Sequence, residues 1–368
     1  MKKVRHVLGI SGGKDSAALA IYMKDQYPHL DVEYYTCDTG KELEETYQLI
    51  TNLEIYLGKK ITLLRAADGS NEDPFDHYLK MYGGYLPSSN SRWCTRKLKL
   101  DPFEKFVGDD PVISYVGIRG DEEREGYISR KTNIQSIFPF RKNIWSEDVI
   151  DKVLANSNIK NIQDLYISLA NPSKKSNFLD LLRQPISPNF TQAQKLKLLL
   201  DTNTKELNAL VFAFLKTTSY PLANEVSFDL IDNEDVLIRA DIFRILEESG
   251  VGVPEYYKQV DFEVNGKKGQ YARSRSGCFF CFFQQKIEWV WLYEQHPDRF
   301  SKAMEYEKDG FTWNQEETLS ELIKPERIQS IKEEYLKRIV SKKNKIKSPY
   351  LIDILSEAEE EGCASCFI

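Results

Sequence analysis

The stretch VLGISGGKDSAALAIYMK, Val7–Lys24, decides how this chain is read. An apolar run ends at a glycine-rich bend holding one lysine, and Ala17, Ala18, Ile21 and Tyr22 then recur at helical spacing. Glycines let backbone N–H groups approach a polyphosphate, and the start of a helix adds its positive dipole, so the bend is a phosphate cradle. A kinase-type loop, G-x-x-x-x-G-K-[S/T], has a longer spacer and a hydroxyl residue after the lysine for magnesium. Here only three residues separate Gly9 from Gly13, and Lys14 is followed by Asp15, so the kinase reading fails on both counts. What remains is Ser11-Gly12-Gly13-Lys14-Asp15-Ser16 between a strand and a helix. Ser11 and Ser16 are donors, Lys14 neutralises phosphate charge, and Asp15 is placed to help hold Mg²⁺.

Working outward, Val4–Ile10 reads as a buried strand, and DVEYYTCDTG (31–40) as a second strand ending in a polar turn. ELEETYQLITNLEIYLG (42–58) is a helix closed by Gly58, KITLLRA (60–66) a third strand, and PVISYVGIRGDE (111–122) a fourth that again ends in glycine and charge. Strands alternating with helices predict an α/β fold with a doubly wound, mainly parallel sheet. Ligands in such sheets sit beyond the C-terminal strand ends, where the polar turns fall. The expected organisation is an α/β nucleotide-binding domain over 1–150 and a helical insertion over 151–243, rich in Asn, Lys and Leu. A cysteine-containing segment over 244–300 then completes the first domain, and a helical extension covers 301–368.

Bulk properties narrow the class. A chain of 368 residues with a net charge of -6 does not advertise a nucleic-acid binder as a whole, although local basic patches are compatible with it. No apolar run approaches the roughly 18 residues needed to cross a bilayer, and the first strand follows the N-terminus almost directly. The expectation is a cytoplasmic protein without a signal peptide or membrane contact. The four histidines lie in no nucleophile-plus-base pattern, so a hydrolytic triad has no support. Four of the six cysteines form two C-x-x-C pairs, Cys278/Cys281 and Cys363/Cys366, a spacing more often metal-binding or redox-active than structural in such a chain.

The string SGGKDS (11–16) resembles the signature of the PP-loop ATP pyrophosphatases. CDTGKELEET (37–46), RWCTRKLK (92–99), GIRGDEEREGY (117–127), FPFRKNIWSEDV (138–149) and RSGCFFCFF (275–283) follow in order. Together they resemble the phosphoadenosine phosphosulfate (PAPS) reductase branch of that superfamily, over roughly residues 4–150 and 244–300. The resemblance breaks at the insertion, where about 90 residues intervene. It implies that Ser11, Gly12, Gly13, Lys14, Asp15 and Ser16 grip the pyrophosphate of ATP. Asp38 and Thr39 then form the adenosine-side turn, and Gly117 and Arg119, with Glu122 and Arg124, form a second wall. Lys14, Asp15, Arg119 and Arg124 are the implied catalytic residues, with arginine forks matching phosphate oxygens.

The cysteines leave more open. Cys278 and Cys281 sit in aromatic sequence after Arg273 and Arg275, where nearby cations favour thiolate. The resemblance joins Cys94 to this pair, and the three imply a [4Fe–4S] cluster. A four-thiolate zinc site with Cys363 and Cys366 is the alternative, and free or redox-active thiols a third reading. Cys37 reads as a small buried residue at a strand end. Phe282, Phe283, Trp289, Trp291 and Tyr293 read as core rather than a base-stacking platform. Within the resemblance, the sulfurtransferase subunits of DNA phosphorothioation systems match best, in RWCTRKLK, the GIRGDEER turn and the helical additions. That implies adenylation of an acceptor oxygen on a DNA backbone phosphate, with sulfur supplied by a cysteine desulfurase partner. The Arg96–Lys99 cluster, Lys267, Lys268, Arg273, Arg275 and the basic C-terminal helix are candidates for a nucleic-acid path. A sulfonucleotide reductase is one alternative, although the tail lacks the Gly-x-His that follows the reductase cysteine. A non-enzymatic ATP-binding scaffold in a defence complex is another. Oligomeric state stays open.

Overall fold

The computed structural model describes residues 2–122, 129, 131–169, 177–308 and 310–344, with side chains up to 339. Five parallel strands form the main sheet: β1 (Arg5–Gly9), β2 (Val32–Asp38), β3 (Ile61–Arg65), β4 (Val112–Tyr115) and β5 (Ile134–Ile137), in the order β3-β2-β1-β4-β5. β1 pairs with β2 on one side and β4 on the other, with Leu8 opposite Tyr34 and Tyr115. The strand order therefore reverses direction at β1, and the Ser11–Ser16 bend leaves the sheet at this switch point. The fold is the expected α/β doubly wound sheet. Strand β5 was not expected, because IQSI is too short to show a period.

Helix α1 (Lys14–Gln26) follows the bend and is buried from Lys14 to Met23. It has no solvent face because helix Arg239–Glu248, the last of the inserted segment, packs along its outer side. An apolar run such as ALAIYM suits a helix covered on both sides. Helix α2 (Glu44–Leu57) buries Leu49, Leu53 and Leu57 and ends at Gly58 in the left-handed conformation, as its sequence requires.

The inserted segment is helical, with Ile159–Leu169, Asn177–Arg183 and Gln192–Leu215 the longest elements before Arg239. The last of these starts at Thr191, whose side chain accepts from the Gln194 N–H in a capping box. The segment is continuous with the sheet's own core: Leu199, Leu207, Leu210, Phe228 and Ile242 share one apolar cluster with Leu8, Ala17 and Trp145. Buried Asn208 accepts from Trp145 Nε1 at 2.9 Å and donates to the Ile231 carbonyl at 3.1 Å.

A second core forms around the cysteine segment. Phe279, Phe280, Trp289 and Trp291 pack there with Phe75, Trp93, Trp313 and Ile331. It includes an antiparallel hairpin, β6 (Val260–Val264) and β7 (Lys267–Tyr271), joined by Asn265-Gly266 with both residues at positive φ. Asn-Gly between short strands is a hairpin signal that strand–helix alternation alone does not deliver. Helix Pro325–Asn344 packs on this hairpin. Its Lys332 is buried against Glu294 at 2.7 Å, so this basic helix gives part of its charge to the core rather than to an open face. Among the described residues, no helix is long and apolar enough to cross a membrane.

Candidate nucleotide and thiol site

The glycine bend is wound tightly by its own side chains. Ser16 Oγ accepts from the Ser11 N–H at 3.1 Å and donates to the Gly13 carbonyl at 3.1 Å, while the Gly13 N–H reaches Ser11 Oγ at 3.3 Å. Gly12 has φ +73°, and a Cβ there would lie 2.2 Å from Thr46 Cγ2, so conformation and space both demand glycine. Two tyrosines of the GVGVPEYY segment brace the bend: Tyr256 donates to the Gly12 carbonyl at 2.9 Å, and the Lys14 ammonium sits 5.2 Å from the Tyr257 ring centroid.

Lys14 and Asp15 are almost completely buried. Lys14 Nζ is 2.7 Å from Asp15 Oδ2, and Arg119 Nη1 is 2.8 Å from Asp15 Oδ1. Arg119 continues to Asp121 at 2.8 Å and Glu122 at 2.5 Å. Burial alone would raise the Asp15 carboxyl, but the Lys14 and Arg119 charges outweigh it and hold Asp15 below the usual carboxylate range. Burial lowers Lys14, with Asp15 opposing. The turn carrying Arg119 lies against the bend, for a Cβ on Gly117 would be 2.9 Å from the Asp15 carbonyl oxygen. The inserted segment holds the turn from behind: the Gly120 N–H donates to the Leu237 carbonyl at 2.9 Å, and the Arg239 N–H meets Asp121 at 3.3 Å. Arg124 lies outside the described residues.

Each Asp15 oxygen thus faces one cation, Lys14 on Oδ2 and Arg119 on Oδ1. The carboxylate holds Lys14 and Arg119 together at the start of α1.

At the end of β2, Asp38 accepts from the Gly40 N–H at 2.8 Å and from Tyr47 at 3.1 Å. Buried Thr39 donates to Glu42 at 2.6 Å and sits 3.2 Å from Cys278 Sγ. The adenosine-side turn of the sequence reading therefore also touches the thiols. Cys94, Cys278 and Cys281 line one cavity of about 50 Å³ with Thr39, Phe75, Lys99 and Phe283. Burial pushes the Cys94 thiol up to about 12 and Cys278 up as well, with the Lys99 ammonium pulling both back. Cys37 is also pushed up to about 12 by burial, and its thiol faces the Lys99 carbonyl at 3.6 Å, outside the cavity lining. Among the described residues, no three His, Cys, Asp or Glu side chains are disposed to hold a metal ion. The three expected ligands converge on one cavity without forming a ligand set, so no chemical step is assigned to a cluster or to zinc. Cys363 and Cys366 lie outside the described residues.

The nucleotide bend and the thiol cavity meet through one short segment. Ser276 Oγ reaches the Ser11 carbonyl at 3.5 Å and would touch a Cβ on Gly13, and Cys278 follows two residues later. Four residues the sequence reading did not single out complete this junction: Glu42, Thr46, Tyr256 and Ser276. Glu42 forms a β-bridge with Cys278, and burial raises its carboxyl. Its spacing from Asp38 and Thr39 was the available signal. Of the basic candidates, Lys97 is paired with Asp101 at 2.7 Å, whereas Arg273 is buried beside Cys278.

Residues 5–166 match the family model of the phosphoadenosine phosphosulfate reductase domain. The matched range holds all five strands, the bend and the Arg119 turn, while Arg273–Cys281 lie beyond it. An uncharacterized protein of Methanocaldococcus jannaschii is 34% identical over 154 residues, covering 38% of this chain and 30% of that relative's length. The crystal structure of a PAPS reductase from Candida auris in complex with phosphate aligns with a TM-score of 0.29 and 17% identity, over 40% of this chain and 67% of that one. Over less than half of its length, the chain is thus similar to a phosphoadenosine phosphosulfate reductase domain.

Proposed function

We propose that the protein is an adenylating ATP pyrophosphatase that serves sulfur transfer. The observation carrying this reading is the contact of Ser276 with the Ser11–Ser16 bend only two residues before a buried thiol. A phosphate cradle and sulfur nucleophiles built side by side suit a reaction in which ATP activates an oxygen that sulfur then replaces.

In this reading the backbone N–H groups of Gly12 and Gly13 and the start of α1 hold the β- and γ-phosphates. The acceptor oxygen attacks the α-phosphorus, the bond to pyrophosphate breaks, and Lys14 and Arg119 neutralise the charge on the departing oxygens. Asp15 keeps both cations in place before ATP arrives, so little reorganisation is needed. The outer sulfur of a carrier's persulfide then attacks the activated phosphorus, and AMP leaves with the oxygen. A cavity thiol attacks the carrier's sulfur in the resulting P–S–S link, which frees the thiophosphate and leaves a disulfide for an external thiol to reduce. The acceptor is a DNA backbone phosphate and the sulfur comes as persulfide from a cysteine desulfurase, on the strength of the phosphorothioation-type motifs.

The test is release of pyrophosphate and AMP from ATP with Mg²⁺, with and without DNA and a persulfide donor. Release that depends on acceptor supports the reading, and its loss in Ser11→Ala locates it at the bend. No release under any combination overturns it.

The match of residues 5–166 to the PAPS reductase domain favours one second reading, a sulfonucleotide reductase. That enzyme would release sulfite from PAPS or its 3′-unphosphorylated analogue without consuming ATP, and Cys363→Ser or Cys366→Ser would stop it.

A further inference from the structure

The segment that joins bend and cavity carries two arginines whose surroundings do not match their charge. Arg273 is 1% exposed. Its Nη2 donates to the Cys278 carbonyl at 3.1 Å and its guanidinium lies 5.8 Å from the Tyr256 ring centroid. Its Nε and Nη1 are buried and find no hydrogen-bond partner among the described residues. Arg275 lies 5.5 Å from the Phe283 ring centroid, and both of its terminal nitrogens are likewise buried without a partner. Taking a guanidinium out of water and leaving its N–H groups unpaired is among the costliest arrangements in a protein interior. The chain does this twice within three residues.

The location narrows what completes these groups. Tyr256, under Arg273, is the residue that donates to the Gly12 carbonyl, and Ser276 abuts Ser11. On the other side Phe283, under Arg275, lines the thiol cavity, and a third cation, Arg92, sits 5.0 Å from the same ring. The arginines therefore stand between the bend and the thiols. Arginine forks match the oxygens of phosphate-type oxyanions, with more than one N–H available to each.

We propose that Arg273 and Arg275 form an oxyanion site, separate from the Ser11–Ser16 bend, that takes a phosphate or sulfate group beside the thiol cavity. The identification of that group with the acceptor of sulfur rests on the proposed function; the oxyanion site itself does not. It explains why two guanidinium groups keep buried N–H groups with no ion pair among the described residues. The nearby buried Glu288 is engaged by Ser274, and the charges of the bend are paired with one another.

The experiment uses the full chain with the bend filled by α,β-methylene-ATP. Inorganic phosphate, inorganic sulfate and a short single-stranded oligodeoxynucleotide are titrated separately by calorimetry. Thermal unfolding is followed in parallel. At least one ligand should bind the wild type and raise its unfolding temperature. Arg273→Met and Arg275→Met should weaken that binding at least about tenfold and abolish the rise. Their unfolding temperature without anion should not fall, since each removes an uncompensated buried charge. Binding by the free ions alone assigns the site to a small oxyanion; tighter binding by the oligonucleotide assigns it to a strand phosphate. If Arg273→Met does not fold, Arg273→Lys keeps the charge and loses the fork, with the same tenfold loss expected. Wild-type anion affinity in both variants overturns the proposal, as does an equal fall in affinity for the ATP analogue, which would make the arginines part of the bend. If the wild type releases no pyrophosphate yet the variants lose the anion, the proposed function falls and this site stands. If the variants lose the anion yet turn over acceptor at the wild-type rate, the identification of that anion with the acceptor falls, and the site and the function both stand.

Discussion

The glycine bend and the cysteine segment are neighbours, both buried and both polar, and they balance charge in opposite ways. At the bend, Lys14, Asp15, Arg119 and Glu122 form an alternating chain of cation and anion. In the cysteine segment, Arg273 and Arg275 keep buried N–H groups with no acceptor, and the thiols of Cys94 and Cys278 are held protonated by burial. A buried charge network that closes on itself is pre-organised and costs little when a ligand arrives. One that does not close stores a cost that binding can release. In the proposed function, that difference suits two tasks, holding a nucleotide and receiving a second group.

The largest break in that comparison comes from opening the closed network. Asp15→Asn leaves Lys14 and Arg119 buried without their shared carboxylate, and should cost about 3–5 kcal/mol of stability in urea titrations; a loss under about 1 kcal/mol would mean the network is not what stabilises the bend. The pH dependence follows from the sign of the shift. Asp15 is depressed on folding, so its contribution is complete above the ordinary carboxylate range and is lost as pH falls through its lower folded value. The acid limb of the stability curve below about pH 4 should therefore be shallower in Asp15→Asn.

Gly12→Ala tests the geometry rather than the charge. Its positive φ and the contact with Thr46 Cγ2 predict a loss of about 1–3 kcal/mol together with loss of ATP binding. Adding Thr46→Ser removes the methyl in the way and should restore the steric part only. Full recovery in the double variant would show that φ is not constrained.

The thiols sharpen the other half. With Cys281, Cys363 and Cys366 replaced by serine, alkylation of native protein at pH 8 should be at least about tenfold slower than that of an unstructured thiol peptide, because burial leaves so little thiolate at Cys37, Cys94 and Cys278. Equal rates would show that these thiols are ionised or open to solvent. The smallest effect is the control: Lys97→Ala removes a half-exposed pair with Asp101 and should change stability by only about 0.3–0.5 kcal/mol.

The bend, the first four strands, the helix closed at Gly58 and the helical character of the inserted segment were legible because each is a local pattern: an apolar period, a glycine stop, a spacing. Strand β5 was not, since four residues carry no period, and the β6–β7 hairpin rests on Asn265-Gly266, a signal read only once strands are sought on both sides of it. Trp289 and Trp291 lie in the core as expected, whereas Phe282 and Phe283 are half-buried and line cavities, and Tyr293, also expected in the core, is exposed on the far side of its helix. Tyr256 carried no sign that its hydroxyl would brace Gly12, more than two hundred residues earlier. Likewise, nothing in "RSRSG" says that Arg273 is buried.

By itself, then, the sequence determined a parallel α/β sheet and the place of its glycine bend, because helix starts, glycine bends and strand runs are governed by contacts between residues near in the chain. Only the tertiary structure decided what surrounds that bend. It closed the charges of Lys14 and Asp15 with Arg119, set the inserted helices against α1, and brought Ser276, Cys278 and Cys281 to Cys94. Those contacts join residues far apart in sequence, and whether a charge is paired or stranded depends on which distant atoms burial places beside it.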